Sequence, residues 1–174
     1  MRITYIGHAT LLIEIGGKTF LTDPNFDPAL GVFLPRVSAP GILLHELPPI
    51  DAVFVTHAHA DHLSFNSLAG LSKGLPIFAP PAIAKWLRRL GYSSALDLEP
   101  GGEVEHGNVT VRAAEATHKG HRYGVDLWRG AANMYLFDTK ETSCFFAGDT
   151  ALTGTTHHLA ERVCGSRQTI NPIE

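Results

Sequence analysis

Thr56-His57-Ala58-His59-Ala60-Asp61-His62-Leu63 gathers three histidines and one carboxylate into a single short stretch. Asp51-Ala52-Val53-Phe54-Val55 precedes it, with the length, apolarity and β-branched content of a buried strand. Ser64-Phe65-Asn66-Ser67-Leu68-Ala69-Gly70-Leu71 follows and can begin a helix. The histidines therefore sit in a strand-to-helix loop. Neutral imidazole is the commonest protein metal ligand, and carboxylate is a hard partner for it. His57 and His59 are two apart, so an extended backbone points both to the same side. Asp61 and His62 turn with the loop and are placed to serve a second ion. A surface loop rich in His by chance explains the pattern poorly, because H-x-H-x-D-H is far more specific than a lone His.

The whole chain, residues 1–174, is long enough for one domain with a real core. Hydrophobic content of 44% and charged content of 18% suit a globular protein, and a net charge of -3 implies no basic face for nucleic acid. Cys144 and Cys164 have no C-x-x-C spacing and are too few for a disulfide scaffold. Met1-Arg2-Ile3-Thr4 lacks the regions of a signal peptide, and no apolar run is long enough to span a membrane, so the expected location is cytoplasmic.

Ile3–Ile6 and Thr10–Ile15 read as strands, and Gly16-Gly17 supplies a two-residue hairpin turn into Lys18–Leu21. Asn25 to Pro49 holds many of the prolines and shows no clear period. It reads as an ordered loop over the site, with Phe26, Phe33 and Leu34 packing beneath it or touching an apolar substrate. Leu75–Ala79 is a short strand. Pro81 opens a helix through Leu90 with Gly91 at C′, and Ile83, Trp86, Leu87 and Leu90 form its core face. Strands are expected at Glu103–Glu105, Asn108–Glu115, Ala132–Phe137 and Ser143–Ala147, with a short helix around His157-His158.

Several segments add to the histidine loop: Gly7-His8-Ala9-Thr10, Leu21-Thr22-Asp23-Pro24, Leu47-Pro48-Pro49-Ile50-Asp51 and Phe145-Phe146-Ala147-Gly148-Asp149-Thr150. Together they resemble the metallo-β-lactamase superfamily. The nearest branch holds N-acyl-phosphatidylethanolamine-hydrolysing phospholipase D and its bacterial relatives, with ascorbate-6-phosphate lactonase-like hydrolases close by. The similarity runs from about Ile3 to Thr150. It implies an α/β fold, an αββα sandwich with a one- or two-metal hydrolytic site at the sheet edges. The family would continue with a strand carrying Pro-Ile-Gly, more helices and a final metal-binding His. Gly154 to Glu174 carries none of these, so the sandwich is expected to be C-terminally incomplete.

The resemblance implies that Asp23 orients the metal loop through hydrogen bonds. His8 either faces the site, supporting a ligand or touching substrate, or is structural. His118 is the third ligand of a first site, preferred over His121 because Arg122 follows it by four. Arg122 is expected to clamp a phosphate or carboxylate, against the plainer reading of a surface salt bridge, and His121 is grouped with it for substrate. Asp149 would bridge two ions, with Gly148 allowing the close approach.

Site one is then His57, His59 and His118 with solvent in the open position, and site two is Asp61, His62 and bridging Asp149. A metal-bound hydroxide is the expected nucleophile, because metal lowers the pKa of water to about 7. Asp61 is the catalytic carboxylate, accepting or returning a proton. Zn2+, one or two per chain, is the first choice for an all-nitrogen-and-oxygen set, and Mn2+ or Fe tolerates it. The implied reaction is hydrolysis of a small-molecule phosphodiester, lactone or other ester. A secreted β-lactamase fits less well. The competing reading is a non-catalytic metal-binding remnant, against which all six ligand positions stand in order. An incomplete second sheet would leave an exposed edge, so a homo-oligomer or a marginally stable chain is expected.

Overall fold

Apolar alternation along the strands sorts them into two sheets facing each other. The structure, a computed structural model, describes residues 1–31, 34–120, 122 and 132–164, with the backbone alone at 155 and 162–164. The first sheet has six strands in the order β1 (Arg2–Gly7), β2 (Thr10–Ile15), β3 (Lys18–Thr22), β6 (Ala52–Phe54), β7 (Ile77–Ala79) and β8 (Ala95–Asp97). β1, β2 and β3 are antiparallel neighbours, whereas β3, β6, β7 and β8 run parallel. Gly16 and Gly17 both have positive φ (58° and 74°), the geometry of a hairpin turn matched to strand twist.

The second sheet is fully antiparallel, in the order β12 (Ser143–Phe146), β11 (Asn133–Asp138), β10 (Val109–Glu115) and β9 (Glu103–His106). Period-2 alternation assigns faces. Ile13, Phe20, Phe54 and Phe78 point between the sheets, where they meet Val111, Tyr135 and Phe137. Leu12, Leu21, Val53 and Ile77 point the other way, under the helices. Central strands apolar on both faces are what parallel strands covered on both sides require. Phe54 is the hub, fully buried, with Phe20, Phe78, Tyr135 and Phe137 ring centroids 5.0 to 5.6 Å away.

Helix α1 (Phe65–Ala69) begins at Ser64, whose hydroxyl accepts from Ser67 N at 3.0 Å. Helix α2 (Pro81–Arg89) has Pro at its first turn and buries Ile83 and Leu87. Helix α3 (Gly154–Cys164) brings Leu159 against Met134 and Ala116 on the outer face of the second sheet. The layers are therefore helix, sheet, sheet, helix, the αββα arrangement. Among the described residues, no helix is long and apolar enough to cross a membrane.

Three expectations need correction. Leu90 is 51% exposed rather than core, because α2 ends at Arg89 and Leu90, its C-cap, turns off the packed face. The Asn25–Pro49 loop holds a short ribbon, β4 (Ala29–Leu30) with β5 (Leu34–Pro35), and a 3-10 turn at Leu44–Glu46. Phe26 packs on the core but Leu34 is 67% exposed, while Phe33 lies outside the described residues. Strand β8 was not expected at all: it is an edge strand that buries only Ala95, so its sequence carries no visible alternation.

Candidate metal centre

The candidate ligands, and His8 and Asp23 beside them, each follow a strand that ends at one edge of the sandwich. His8 follows β1, Asp23 follows β3, His57 to His62 follow β6, His118 follows β10 and Asp149 follows β12. Within each sheet these strands share a direction, since β1 and β3 both oppose β2 and β10 and β12 both oppose β11. Hydrogen bonds stitch the two sheets together at this edge: Asn133 N donates to Thr56 O (2.9 Å) and Tyr135 Oη to Val55 O (2.7 Å), while Thr117 N to Thr150 Oγ1 (2.9 Å) ties the ends of β10 and β12 within the second sheet.

Asp23 is fully buried and sits in the left-handed region, φ 36°. Its Oδ1 accepts from Thr56 N (2.7 Å), and its Oδ2 accepts from Thr56 Oγ1 (2.6 Å) and His62 Nδ1 (2.8 Å). A carboxylate cannot donate, so His62 carries a proton on Nδ1 and turns its Nε2 outward. The Thr56 hydroxyl has spent its one proton on Asp23. It must therefore accept from His57 Nδ1, 2.9 Å away, which leaves the His57 Nε2 lone pair free. One buried carboxylate thus fixes two imidazole tautomers. Asn25, also buried, donates through Nδ2 to Asp61 O (3.0 Å) and Ala60 O (3.3 Å), pinning the loop between them.

Two groups of ligand atoms result. Those of His57, His59, His118 and Asp149 all lie within 4.8 Å of one another, and so do those of His8, Asp61 and His62. His59 Nδ1 stands 2.9 Å from His57 Nε2 and 3.2 Å from His118 Nε2. Asp149 faces both groups. Its Oδ1 is 3.2 Å from His62 Nε2, and its Oδ2 is 3.9 Å from His57 Nε2 and 4.0 Å from His118 Nε2. Gly148 permits this placement: its φ is 56°, and a Cβ there would come within 3.0 Å of the Thr56 methyl.

Electrostatics suit a cation. Burial, and then the neighbouring imidazoles of His62, His59 and His118, push the His57 imidazole down to about 2, so it stays neutral. Burial lowers His59 too. Burial alone would raise the Asp61 carboxyl, but the His8 hydrogen bond (2.8 Å) and the charge on His62 hold it below the usual carboxylate range. The hydrogen-bonded His62 holds the Asp149 carboxyl down at about 2. His62 itself would be lowered by burial, yet Asp149 and Asp23 hold it at about 10. Among the described residues the buried His62 Nε2 makes no well-aligned hydrogen bond, although Asp149 Oδ1 stands 3.2 Å away. A buried imidazole nitrogen beside the carboxylates of Asp61 and Asp149 holds a proton where a bound cation can replace it. The donor set fits a metal.

The expected site residues fare differently. His57, His59, Asp61, His62, His118, Asp149, His8 and Asp23 come together at one edge. Arg122 directs Nη1 to Leu63 O (2.6 Å), with its guanidinium 4.4 Å over the Phe65 ring. His121 lies outside the described residues. Sequence reasoning gave no role to Thr56 or Asn25. Their signal was only that each is a polar residue just after a buried strand, adjoining a candidate ligand loop.

The chain is similar to known metal-dependent hydrolases. A metal-dependent hydrolase of Exiguobacterium sp. is 29% identical over 87% of this chain and 64% of its own length. N-acyl-phosphatidylethanolamine-hydrolyzing phospholipase D 1 of Caenorhabditis elegans is 29% identical over 84% of this chain and 46% of its own length. The chain thus spans less than two thirds of these curated relatives. Among solved structures, isothiocyanate hydrolase from Delia radicum gut bacteria shares the fold, with a TM-score of 0.78 and 23% identity over 94% of this chain and 69% of that one. The model of the beta-lactamase superfamily domain matches residues 18–174, and the chain belongs to that family.

Proposed function

We propose that this chain is a metal-dependent hydrolase of phosphodiester, lactone or other ester bonds, and that a phosphodiester is the first substrate class to test. The observation that supports it is the convergence of His57, His59, His118 and Asp149 within 4.8 Å, beside a second group sharing Asp149. A relative whose name denotes a phospholipase D, 29% identical, favours the phosphodiester. In this reading His57, His59 and His118 hold the first ion, Asp61 and His62 the second, and Asp149 reaches both. Zinc is the first candidate, since the ligands are imidazoles and carboxylates. When bound, the ions supply a water ionised near neutral pH and polarise the substrate oxygen.

The chain's own groups do the rest. Thr56 and Asp23 keep the Nε2 atoms of His57 and His62 turned to the site. Asp61, about a third exposed, takes the proton shed by the attacking water and can return it to the leaving group. Arg122 acts through the loop, holding the Leu63 carbonyl.

The test is hydrolysis of bis(p-nitrophenyl) phosphate, a γ-lactone and p-nitrophenyl acetate by zinc-loaded protein, each with and without chelator. Chelator-sensitive turnover of the phosphodiester at or above the other two supports the reading. Metal-loaded protein that turns over none of them overturns it and leaves the metal-binding remnant.

A further inference from the structure

His8 was expected to support a ligand, to touch substrate or to be structural. We infer that it is itself a ligand of the second ion, completing a set with Asp61, His62 and Asp149. This rests on the two-ion reading above and adds a residue to it.

Position argues first. His8 Nε2 lies 2.8 Å from Asp61 Oδ2, and that same oxygen is the one 3.7 Å from His62 Nε2. The imidazole of His8 is thus on the ion side of the carboxylate. Its ring centroid is 5.2 Å from that of His62. Ligands about 2.0–2.2 Å from one zinc ion stand about 3.3–3.6 Å apart at tetrahedral angles. The separations here, 2.8 Å (His8 to Asp61), 3.7 Å (Asp61 to His62) and 3.2 Å (His62 to Asp149), straddle that range.

The backbone argues second. His8 has φ 55°, in the left-handed region that costs a non-glycine residue about 1–3 kcal/mol, and it follows Gly7 at φ 152°. The β1–β2 register shifts between Tyr5 and Gly7. The chain departs from regular pairing just where this imidazole is delivered. The buried Nε2 of His62, which makes no well-aligned hydrogen bond among the described residues, is the independent sign that this group is built for an ion. Without metal, His8 donates to Asp61; with metal, the two atoms share the ion instead.

His8→Asn is the discriminating variant. Asn tolerates the left-handed region and keeps an N–H for Asp61, but it removes the imidazole. The full chain, stripped and reloaded with zinc or cobalt, is assayed for ions per chain and, by X-ray absorption, for imidazoles per ion. Two ions in the parent with five imidazoles between them, and loss of the second ion by more than about 100-fold in affinity in the variant, is the expected result. Two ions bound equally tightly by both proteins would leave His8 a hydrogen-bond donor and overturn the inference alone. One ion or none in the parent would overturn it together with the two-ion reading.

Discussion

Asp23→Asn changes one atom and should turn two histidines around. The carboxylate of Asp23 is fully buried and accepts from Thr56 N, Thr56 Oγ1 and His62 Nδ1 at 2.7, 2.6 and 2.8 Å. Asn offers one oxygen and two N–H groups. The backbone N–H of Thr56 cannot reverse its role, so the amide oxygen must face it. The amide NH2 then faces His62 Nδ1 and Thr56 Oγ1. His62 escapes the clash by shedding its Nδ1 proton and keeping one on Nε2. Thr56, now an acceptor, gives its own proton to His57 Nδ1, 2.9 Å away, and the His57 proton moves to Nε2. Both ligating nitrogens become donors. Exchanging a charged for a neutral acceptor costs about 2 kcal/mol, which lowers the Tm of metal-free protein by about 4–8 °C. Metal suffers more, since each tautomer must revert against a donor facing a donor. Outer hydrogen-bond partners of this kind are worth about 10–100-fold in affinity, and here two ligands share one. Zinc competition against a chromogenic chelator, with thermal melts of the stripped protein, measures both. A variant that melts lower yet binds zinc within about threefold of the parent would refute the tautomer argument.

Other substitutions probe separate links. Gly148→Ala puts a Cβ about 3.0 Å from the Thr56 methyl at φ 56°, so Asp149 should be displaced and metal affinity fall, while the strand core stays intact; unchanged zinc binding would count against the bridging placement. Phe54→Ala empties the hub of the inter-sheet core and should cost about 3–5 kcal/mol in urea unfolding, with a loss under about 1 kcal/mol showing the hub to be misassigned. Asp51 accepts from Lys18 Nζ and Thr19 N, both at 2.8 Å, and although burial opposes them these bonds hold its carboxyl below the usual range. A depressed carboxyl stabilises the fold above its unfolded value of about 3.9 and loses that contribution as pH falls through the folded value. Asp51→Asn should thus lower stability at pH 7 by about 0.5–1 kcal/mol, since the pair is about a third exposed and screened, and the difference should close in acid. A gap that persists once the carboxyl is protonated in the folded chain would place the effect elsewhere.

Much of this was legible because the informative residues are periodic or clustered. The alternation of Phe20 with Leu21, or of Val53 with Phe54, states two-sided burial directly, and H-x-H-x-D-H concentrates four candidate ligands in one loop. What stayed hidden depends on conformation. Nothing in Gly7-His8 announces a left-handed histidine, and that φ is what brings His8 to Asp61. Thr56 looks like the last residue of a strand, and only its distances to Asp23 and His57 show that it relays a proton preference. Arg122 illustrates a different gap. The family resemblance placed it near the candidate ligands, but its direction toward Leu63 O and Phe65 is a tertiary fact. Strand β8 failed for want of pattern, since an edge strand that buries one Ala resembles a loop.

Charge links the number of ions to the substrate. The histidines that meet an ion do so neutral, so the fixed charge of the centre is that of Asp61 and Asp149, with Asp23 buried behind His62. Three carboxylates against one divalent ion leave about -1 before solvent is counted; against two they leave about +1. The sign changes with the second ion. In a partly desolvated cleft a unit charge at about 4 Å is worth about 4 kcal/mol at an effective dielectric of about 20. An anionic phosphodiester is therefore repelled by the one-ion form and drawn in by the two-ion form, while a neutral lactone is nearly indifferent. Titrating stripped protein with zinc separates the cases. Lactone turnover should saturate near one equivalent and phosphodiester turnover only near two, with KM for the phosphodiester rising as salt screens the field. Parallel titration curves for the two substrates would show that the second ion acts otherwise than through the charge of the site.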